Sequence, residues 1–241
     1  MTGTILNALA ILLGGVAGLT LRRGLPPATQ GWLKIVLAVA SVFFGLRLTW
    51  ISLSGSLWSV LKQVVLVVLA LTLGQLTGRL LGLQRLSNRL GQQARQRMAA
   101  AGSAQSSGFS AGFTTCALLF CAAPLALIGP VTDGLSGYVA PLGIKAVMDG
   151  LAAMGFVGIW GRGVLLAALP VLAYQGTIAL LMARFGEPWL RSHGAVDAVN
   201  ATAGLLVFCV GLLIFEARRI EVANYLPALL YAPLLAWWLG W

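Results

Sequence analysis

Apolar residues in this chain come in blocks of about twenty separated by short polar interruptions, with neither the strict alternation of a half-buried strand nor the single stripe of a soluble helix. Such blocks match the ~20 residues that a helix needs to cross a hydrocarbon layer of ~30 Å. They fall at about 4–21, 33–53, 60–82, 109–131, 141–161, 163–183, 198–216 and 221–240 and predict eight membrane-spanning helices. The longest polar connection divides the single transmembrane domain, 1–241, into a three-span part, 1–82, a basic segment, 83–108, and a five-span part, 109–241. Within the connection, Leu83, Leu86 and Leu90 recur at helical spacing with Arg85 and Arg89 between them, which predicts an amphipathic helix in the headgroup layer. Its Ser/Gly-rich second half reads as a flexible link.

Two places break the pattern. Pro124, Gly129 and Pro130 interrupt the fourth block. Between Asp133 and Lys145 the chain reads GLSGYVAPLGI, too apolar for an external loop and too rich in Gly and Pro for a continuous helix. Broken or re-entrant helices are therefore expected around residues 124–145, and irregular backbone at membrane depth is tolerated where protein buries it or where it lines a wet cavity.

Composition agrees: hydrophobic residues make up 59% of the chain, charged residues 9%, and mean hydropathy is +0.91, which excludes an ordinary soluble domain. The first block lacks a basic n-region and is expected to be a retained span. A net charge of +10 raises nucleic acid as a partner, but the arginines stand beside the spans, so none is expected. Arg22 and Arg23 follow the first span, Arg79, Arg85, Arg89, Arg95 and Arg97 the third, Arg162 the fifth, and Arg218 and Arg219 the seventh. Alternating spans put all of these on one side, which the positive-inside rule makes cytoplasmic, with both termini outside a bacterial inner membrane. Arg85, Arg89, Arg95 and Arg97 are candidate contacts for anionic lipids, against the plainer reading of a topology anchor. The aromatic end LLAWWLGW reads as an interfacial anchor.

Glycines four apart, Gly14 and Gly18 in the first span and Gly74 and Gly78 in the third, present flat strips that permit close backbone approach. They predict packing of these spans with each other or with a second subunit, as in a homodimer.

Six acidic residues in 241 make each position informative. Asp149 falls several residues into the fifth span, about 10 Å inside its boundary at the ~1.5 Å rise of a helix. Lys145 stands one turn earlier on the same face. The functional reading makes Asp149 an ion site tuned by Lys145; the structural one is an internal ion pair that fixes helix orientation, with Lys145 snorkelling outward. A dry, lysine-paired Asp149 would favour the structural reading. Asp133, in Thr-Asp-Gly, either closes a turn near the outer surface or guards an approach together with Ser136. Tyr174 and Gln175 lie mid-span in the sixth block as candidate neutral ligands or helix-to-helix glue. Asn224, Asn7 and Asn200 near span entrances read as helix caps or ion ligands, and Arg47 is expected to snorkel.

No catalytic set emerges. His193 is the sole histidine, in a polar connection remote from any nucleophile, and no phosphate-cradling GxxxxGK[ST] occurs, so neither an enzyme nor an ATP-driven pump is expected. Cys116, Cys121 and Cys209 are odd in number, lack CxxC spacing and sit in apolar runs, which points to buried hydrophobes and to no cofactor. No metal is assigned.

LLFCAAPLALIGPVTDGLSG, then K-x-x-x-D-G at Lys145 to Gly150, GVLLAALPVLAYQG and VANYLPALL, with NALAILLGG at the start, occur in one order along essentially the whole chain. Together they resemble the bacterial membrane-protein family known as domain of unknown function 554. The resemblance implies an α-helical membrane bundle and marks Asp133, Ser136, Lys145, Asp149, Tyr174, Gln175, Asn224 and Pro227 as matches to the family pattern. It names no substrate. The chain departs from that pattern at Ala123 and Pro124, where the family has glycine, and at Arg79, where the family has an acid.

The expectation is an all-α polytopic membrane protein acting as a secondary transporter or channel for a small ion or polar solute. In that reading Asp149 binds the cargo, Lys145 tunes it, Asp133 and Ser136 guard the outer approach, and Tyr174 and Gln175 add neutral ligands. The alternative is a non-transporting scaffold or regulator acting through helix contacts. A redox role for Cys116 and Cys121 is disfavoured because residues five apart on one helix point away from each other.

Overall fold

A computed structural model of the protein describes residues 1–21, 25–101 and 108–239. Arg22 and Arg23, most of the Ser/Gly-rich link and the last two residues of the aromatic end lie outside the described residues. The described chain is helical throughout, with no strand. The long helices are α1 (Thr2–Thr20), α2 (Pro27–Ser52) and α3 (Leu57–Leu81), then α4 (Leu83–Ala101), α5 (Gly108–Ala122), α6 (Leu125–Ser136) and α7 (Ala140–Trp160). A 3-10 segment, Gly161–Ala167, leads into α8 (Ala168–Leu181); after the short α9 (Glu187–Ser192) come α10 (Val196–Ile214) and α11 (Ala228–Leu239).

Six helical stretches are long and apolar enough to cross a membrane, and the bent pair of α5 and α6 makes a seventh. One of the six, Ala140–Ser192, has 53 residues, far more than one crossing requires. It folds back at Gly161, whose φ of 65° and ψ of −152° only glycine adopts without strain. Helix α1 records the reversal. Gly3 packs on Leu142 and Gly18 on Met154, so α1 runs parallel to α7; Gly15 meets Leu165 while Thr4 lies beside Gly176, so α1 runs antiparallel to α8. The stretch is thus two crossings, and the apolar blocks and the fold agree on eight.

The expected breaks also take definite form. Helices α5 and α6 bend by 60° at Ala123 and Pro124, where proline supplies no donor to the ladder. Gly112 near the start of α5 lies against Trp160, whereas Gly134 near the end of α6 lies against Ala179. The bent pair therefore traverses the bundle and is not a re-entrant hairpin. GLSGYVAPLGI is helical at both ends, and only residues 137–139 form a tight turn: the Gly137 amide donates to the Asp133 carbonyl, the Tyr138 amide to the Thr132 carbonyl, and the Tyr138 hydroxyl to the Phe44 carbonyl at 2.9 Å. Its apolar residues are explained by that packing.

Each glycine strip is filled from within the chain, and the two do not face one another. A Cβ at Gly14 would lie 2.0 Å from the Gly150 carbonyl oxygen, and Gly18 meets the Met154 backbone, so the first strip belongs to α7. A Cβ at Gly78 would lie 2.0 Å from the Asn224 carbonyl oxygen, and Gly74 meets Ala228, so the second belongs to α11. A second subunit would need another face. Helices α2 and α10 form a third close pair, with Gly45 against Gly204 and Gly211 against Ala38 and Val42. Large exposed apolar side chains such as Trp32, Val39, Phe43 and Trp50 along α2 mark a lipid-facing surface.

Helix α4 is not loose in the headgroup layer. Leu86 is exposed rather than seated, Ala94 is buried, and Gln84 clasps the chain near α11: its amide accepts from the Ala223 N–H at 3.1 Å while its own backbone N–H donates to Asn224 Oδ1 at 2.9 Å. At the far end the Arg97 guanidinium donates to the Thr115 hydroxyl at 3.4 Å. The apolar stripe predicted the helix, and polar side chains that no periodicity reveals anchor it across the basic end of the bundle.

Candidate functional site

The buried face of α1 presents Gly3, Thr4, Asn7, Ala8 and Ile11, successive positions of one helical stripe. Two of these are polar, and none of the five contacts lipid. Between α7 and α8, Asn7 meets the fifth-span carboxylate: its Nδ2 donates to Asp149 Oδ2 at 3.1 Å and to Gln175 Oε1 at 3.1 Å. Lys145 donates from one turn earlier on α7 to the same Asp149 oxygen at 2.5 Å. Lys145 is 2% exposed and does not snorkel outward; the i, i+4 geometry holds its ammonium on Asp149 inside the protein. Asn7 does not cap α1. It sits in the second turn and joins three helices.

This cluster is more than an ion pair. Asn7 Oδ1, Gln175 Nε2 and Thr4 Oγ1 are buried and make no hydrogen bond among the described residues. Their residues are each 0% exposed. Buried polar atoms in native proteins are overwhelmingly paired, and leaving one unpaired typically costs about 1–3 kcal/mol. Two of these atoms belong to the amides that meet at Asp149, one an acceptor and one a donor, and Thr4, one turn before Asn7 on the buried face of α1, adds a hydroxyl that can do either. No three His, Cys, Asp or Glu side chains converge among the described residues, so any cation held here would rest on one carboxylate and neutral oxygens.

Asp133 lies elsewhere and does something else. It is not in a turn but inside α6, 4% exposed. Its Oδ2 accepts from the Gly3 backbone N–H at 3.1 Å and pairs with the Met1 amino group at 3.1 Å. Gly3 is in the first turn of α1, where amides have no partner in the helix, so Asp133 caps α1 from another helix and opposes the positive end of its dipole. Through Gly3 and Asn7, one turn apart, α1 links the two carboxylates. The Ser136 hydroxyl lies within hydrogen-bond reach of the Thr132 carbonyl, 3.0 Å, and of Asn200 Oδ1, 3.3 Å. Asn200, like Asn7, bonds between helices and caps nothing.

The remaining sequence candidates separate. Gln175 is in the cluster, whereas Tyr174 beside it is 39% exposed on the outer face of α8. Asn224 is at the basic end, holding Gln84 and donating to Glu221 Oε2 at 2.7 Å, so it fastens α4 and takes no part in the Asp149 cluster. The three cysteines are free, with Cys116 buried. Sequence reasoning missed Thr4 and undervalued Asn7. The available signal was their spacing of three, which puts both on one face of a membrane helix.

The chain is 27% identical over 235 residues to the Uncharacterized membrane protein YdfK of Bacillus subtilis (strain 168), covering 98% of this chain and 95% of that one. It is 31% identical over 243 residues to the Uncharacterized protein YqgA of Escherichia coli (strain K12), covering 99% and 98%. No solved structure matches. Residues 2–237 match the model of the family described as Protein of unknown function (DUF554), and the chain belongs to that family of membrane proteins.

Proposed function

We propose that this protein is a secondary transporter or channel for a small ion, a cation in preference to a neutral polar solute, with Asp149 as its binding group. The observation that carries this reading is that two buried atoms, Asn7 Oδ1 and Gln175 Nε2, stay unpaired on the amides joined to the Lys145–Asp149 pair, with Thr4 Oγ1 unpaired one turn away on α1. A purely structural pair at membrane depth gains by completing its hydrogen bonds, because an incomplete network is worse than an apolar core. Asp149 is buried and lysine-paired, which by itself favours a structural pair; the hydrogen bonds left unmade beside it are what favour a site.

Electroneutrality then shapes the mechanism. Asp149 and the Lys145 ammonium sum to zero, and a cation arriving at Asp149 keeps that sum only if the ammonium releases one proton as the cation binds. Half-turns of the Asn7 and Gln175 amides would place Asn7 Oδ1 toward the cation and let Gln175 Nε2 donate to that same oxygen. The cycle exchanges a cation for a proton. The Gly161 fold-back and the Pro124 bend flank the α7–α8 and α5–α6 elements and supply joints about which access could alternate.

We place the protein in the bacterial cytoplasmic membrane. Arg79, Arg85, Arg89, Arg95, Arg162, Arg218 and Arg219 gather at one end of the bundle, which supports a cytoplasmic assignment for that end and an outer one for Met1 and the end of α11. Exposed Arg85, Arg89 and Arg95 on α4 are suited to anionic headgroups. A scaffold or regulator would have to act through surfaces other than the glycine strips, which are occupied internally.

The test is flux in proteoliposomes for Asp149→Asn. Cation-driven proton movement should be lost; the change strands the Lys145 ammonium and should lower the melting temperature, so flux is compared per folded protein of wild-type oligomer size. Flux equal to wild type would overturn the assignment.

A further inference from the structure

A second site lies between helix pairs. The α1–α7 and α2–α10 pairs diverge toward the basic end and leave a cleft of about 640 Å³. Leu37, Met148, Leu151, Leu213 and Ile214 line its body, and its polar groups, Gln30, Lys34 and Glu216, come from the start of α2 and the end of α10. That volume is in the range of small-molecule sites, but a polar solute needs polar groups converging within the body of its pocket. This cleft instead grades from hydrocarbon-like walls to a polar mouth, the distribution of an amphiphile in a leaflet.

Charge at the mouth narrows the occupant. Lys34 pairs with Glu216 at 2.5 Å, both exposed. The segment leaving Glu216 carries exposed Arg218 and Arg219. Arg218 and Arg219, two and three residues beyond Glu216, add cationic charge next to the mouth, while Glu221 further along is paired with Arg79. Glu216 also has a φ of 59°, in the left-handed position after α10: its amide donates to the Leu213 carbonyl and the Ala217 amide to the Leu212 carbonyl. Glycine is the usual residue there, so the chain places a carboxylate on Lys34 at a position that disfavours one.

We propose that this cleft binds an anionic phospholipid, with one acyl chain along Leu37, Met148 and Leu151 and the phosphate at Lys34. Basic pockets between membrane helices on the cytoplasmic side recognise such headgroups. The lipid phosphate takes the place of the Glu216 carboxylate on Lys34, which makes the ion pair the resting state of an open mouth. The inference does not depend on Asp149.

Native mass spectrometry of the full-length protein released from nanodiscs tests it, comparing phosphatidylglycerol with phosphatidylcholine of the same chains. Wild type should retain phosphatidylglycerol about fivefold more strongly, the effect of one basic group at a membrane surface. Lys34→Gln should remove the preference. Gly155→Leu and Gly158→Leu place a side chain in the cleft, where neither glycine has a neighbour within 4 Å of an added Cβ, and should reduce retention of both lipids. Melting temperature identifies a misfolded variant, and either glycine variant suffices. Equal retention of the two lipids by wild type, competition by free glycerol phosphate, or unchanged retention when the cleft is filled would each overturn the proposal.

Discussion

Asn7 and Asp149 are joined across the α1–α7 interface, 3.1 Å from Nδ2 to Oδ2, and the other proton of the same amide goes to Gln175 Oε1. One side chain therefore registers three membrane helices on the carboxylate proposed to bind the ion. Asn7→Leu removes both bonds and leaves Gln175 without its partner. The loss of stability should be about 1–3 kcal/mol, the range for stranding buried polar groups, with ion affinity falling as well. Asn7→Asp adds a buried negative charge and should be worse. Thermal unfolding in detergent, with and without saturating cation, separates the two effects, because only a ligating Asn7 changes the ligand-induced shift.

Lys145 and Asp149 behave as a unit. Lys145→Met strands a carboxylate at membrane depth, and breaking one half of a buried pair typically costs about 3–5 kcal/mol. Lys145→Met with Asp149→Leu removes both charges and should restore most of that loss while eliminating flux. A double variant as unstable as the single one would mean that the pair holds the fold through more than its charges. The cycle reads stability and transport on the same four proteins.

Much of this was legible in the chain because lipid simplifies the code. Apolar blocks of span length, the Pro124 break and the i, i+4 placement of Lys145 and Asp149 are one-dimensional facts, and each has its counterpart in the fold. Partners are different. Thr-Asp-Gly around Asp133 has turn chemistry, yet the Gly137 amide closes α6 one turn later and Asp133 instead caps α1, 130 residues away in sequence. Asn7 and Asn200 stand near span entrances, as caps do, but the Asn7 amide nitrogen donates between helices and the Asn200 amide oxygen accepts between helices. The glycine strips were visible and their partners were not: flatness is encoded locally, whereas choosing α7 and α11 depends on the whole packing arrangement.

Those strips give a sharp contrast within one residue type. Gly78→Ala puts a Cβ 2.0 Å from the Asn224 carbonyl oxygen, so α3 must move away from the 3-10 turn Val222–Tyr225 that leads into α11; overpacking of this kind typically costs about 1–3 kcal/mol. Gly143, inside α7, has nothing within 4 Å of an added Cβ, and Gly143→Ala should stabilise the helix by about 0.5–1 kcal/mol through lower backbone entropy in the unfolded chain. Melting curves of the two alanine variants should therefore move in opposite directions. Shifts of the same sign would contradict the packing of α3 on α11 described above.

Lys34 holds the Glu216 carboxyl below its ordinary titration range, by a hydrogen bond first and by charge second. The sign follows from linkage: a depressed folded-state value means that the pair contributes above the ordinary glutamate range and is lost as pH falls through the lowered one. Both groups are exposed, so added salt should weaken the coupling even at neutral pH. A double-mutant cycle of Lys34→Gln and Glu216→Gln should thus show coupling at pH 7 in low salt that fades as the pH is taken below the ordinary glutamate range. Glu216→Gly is a separate probe, because it removes the carboxylate and relieves a left-handed backbone that costs a non-glycine residue about 1 kcal/mol. That variant should melt no lower than wild type even though the ion pair is gone. A clear fall in melting temperature would mean that the Lys34–Glu216 contact stabilises the α2–α10 pair by more than the strain it imposes.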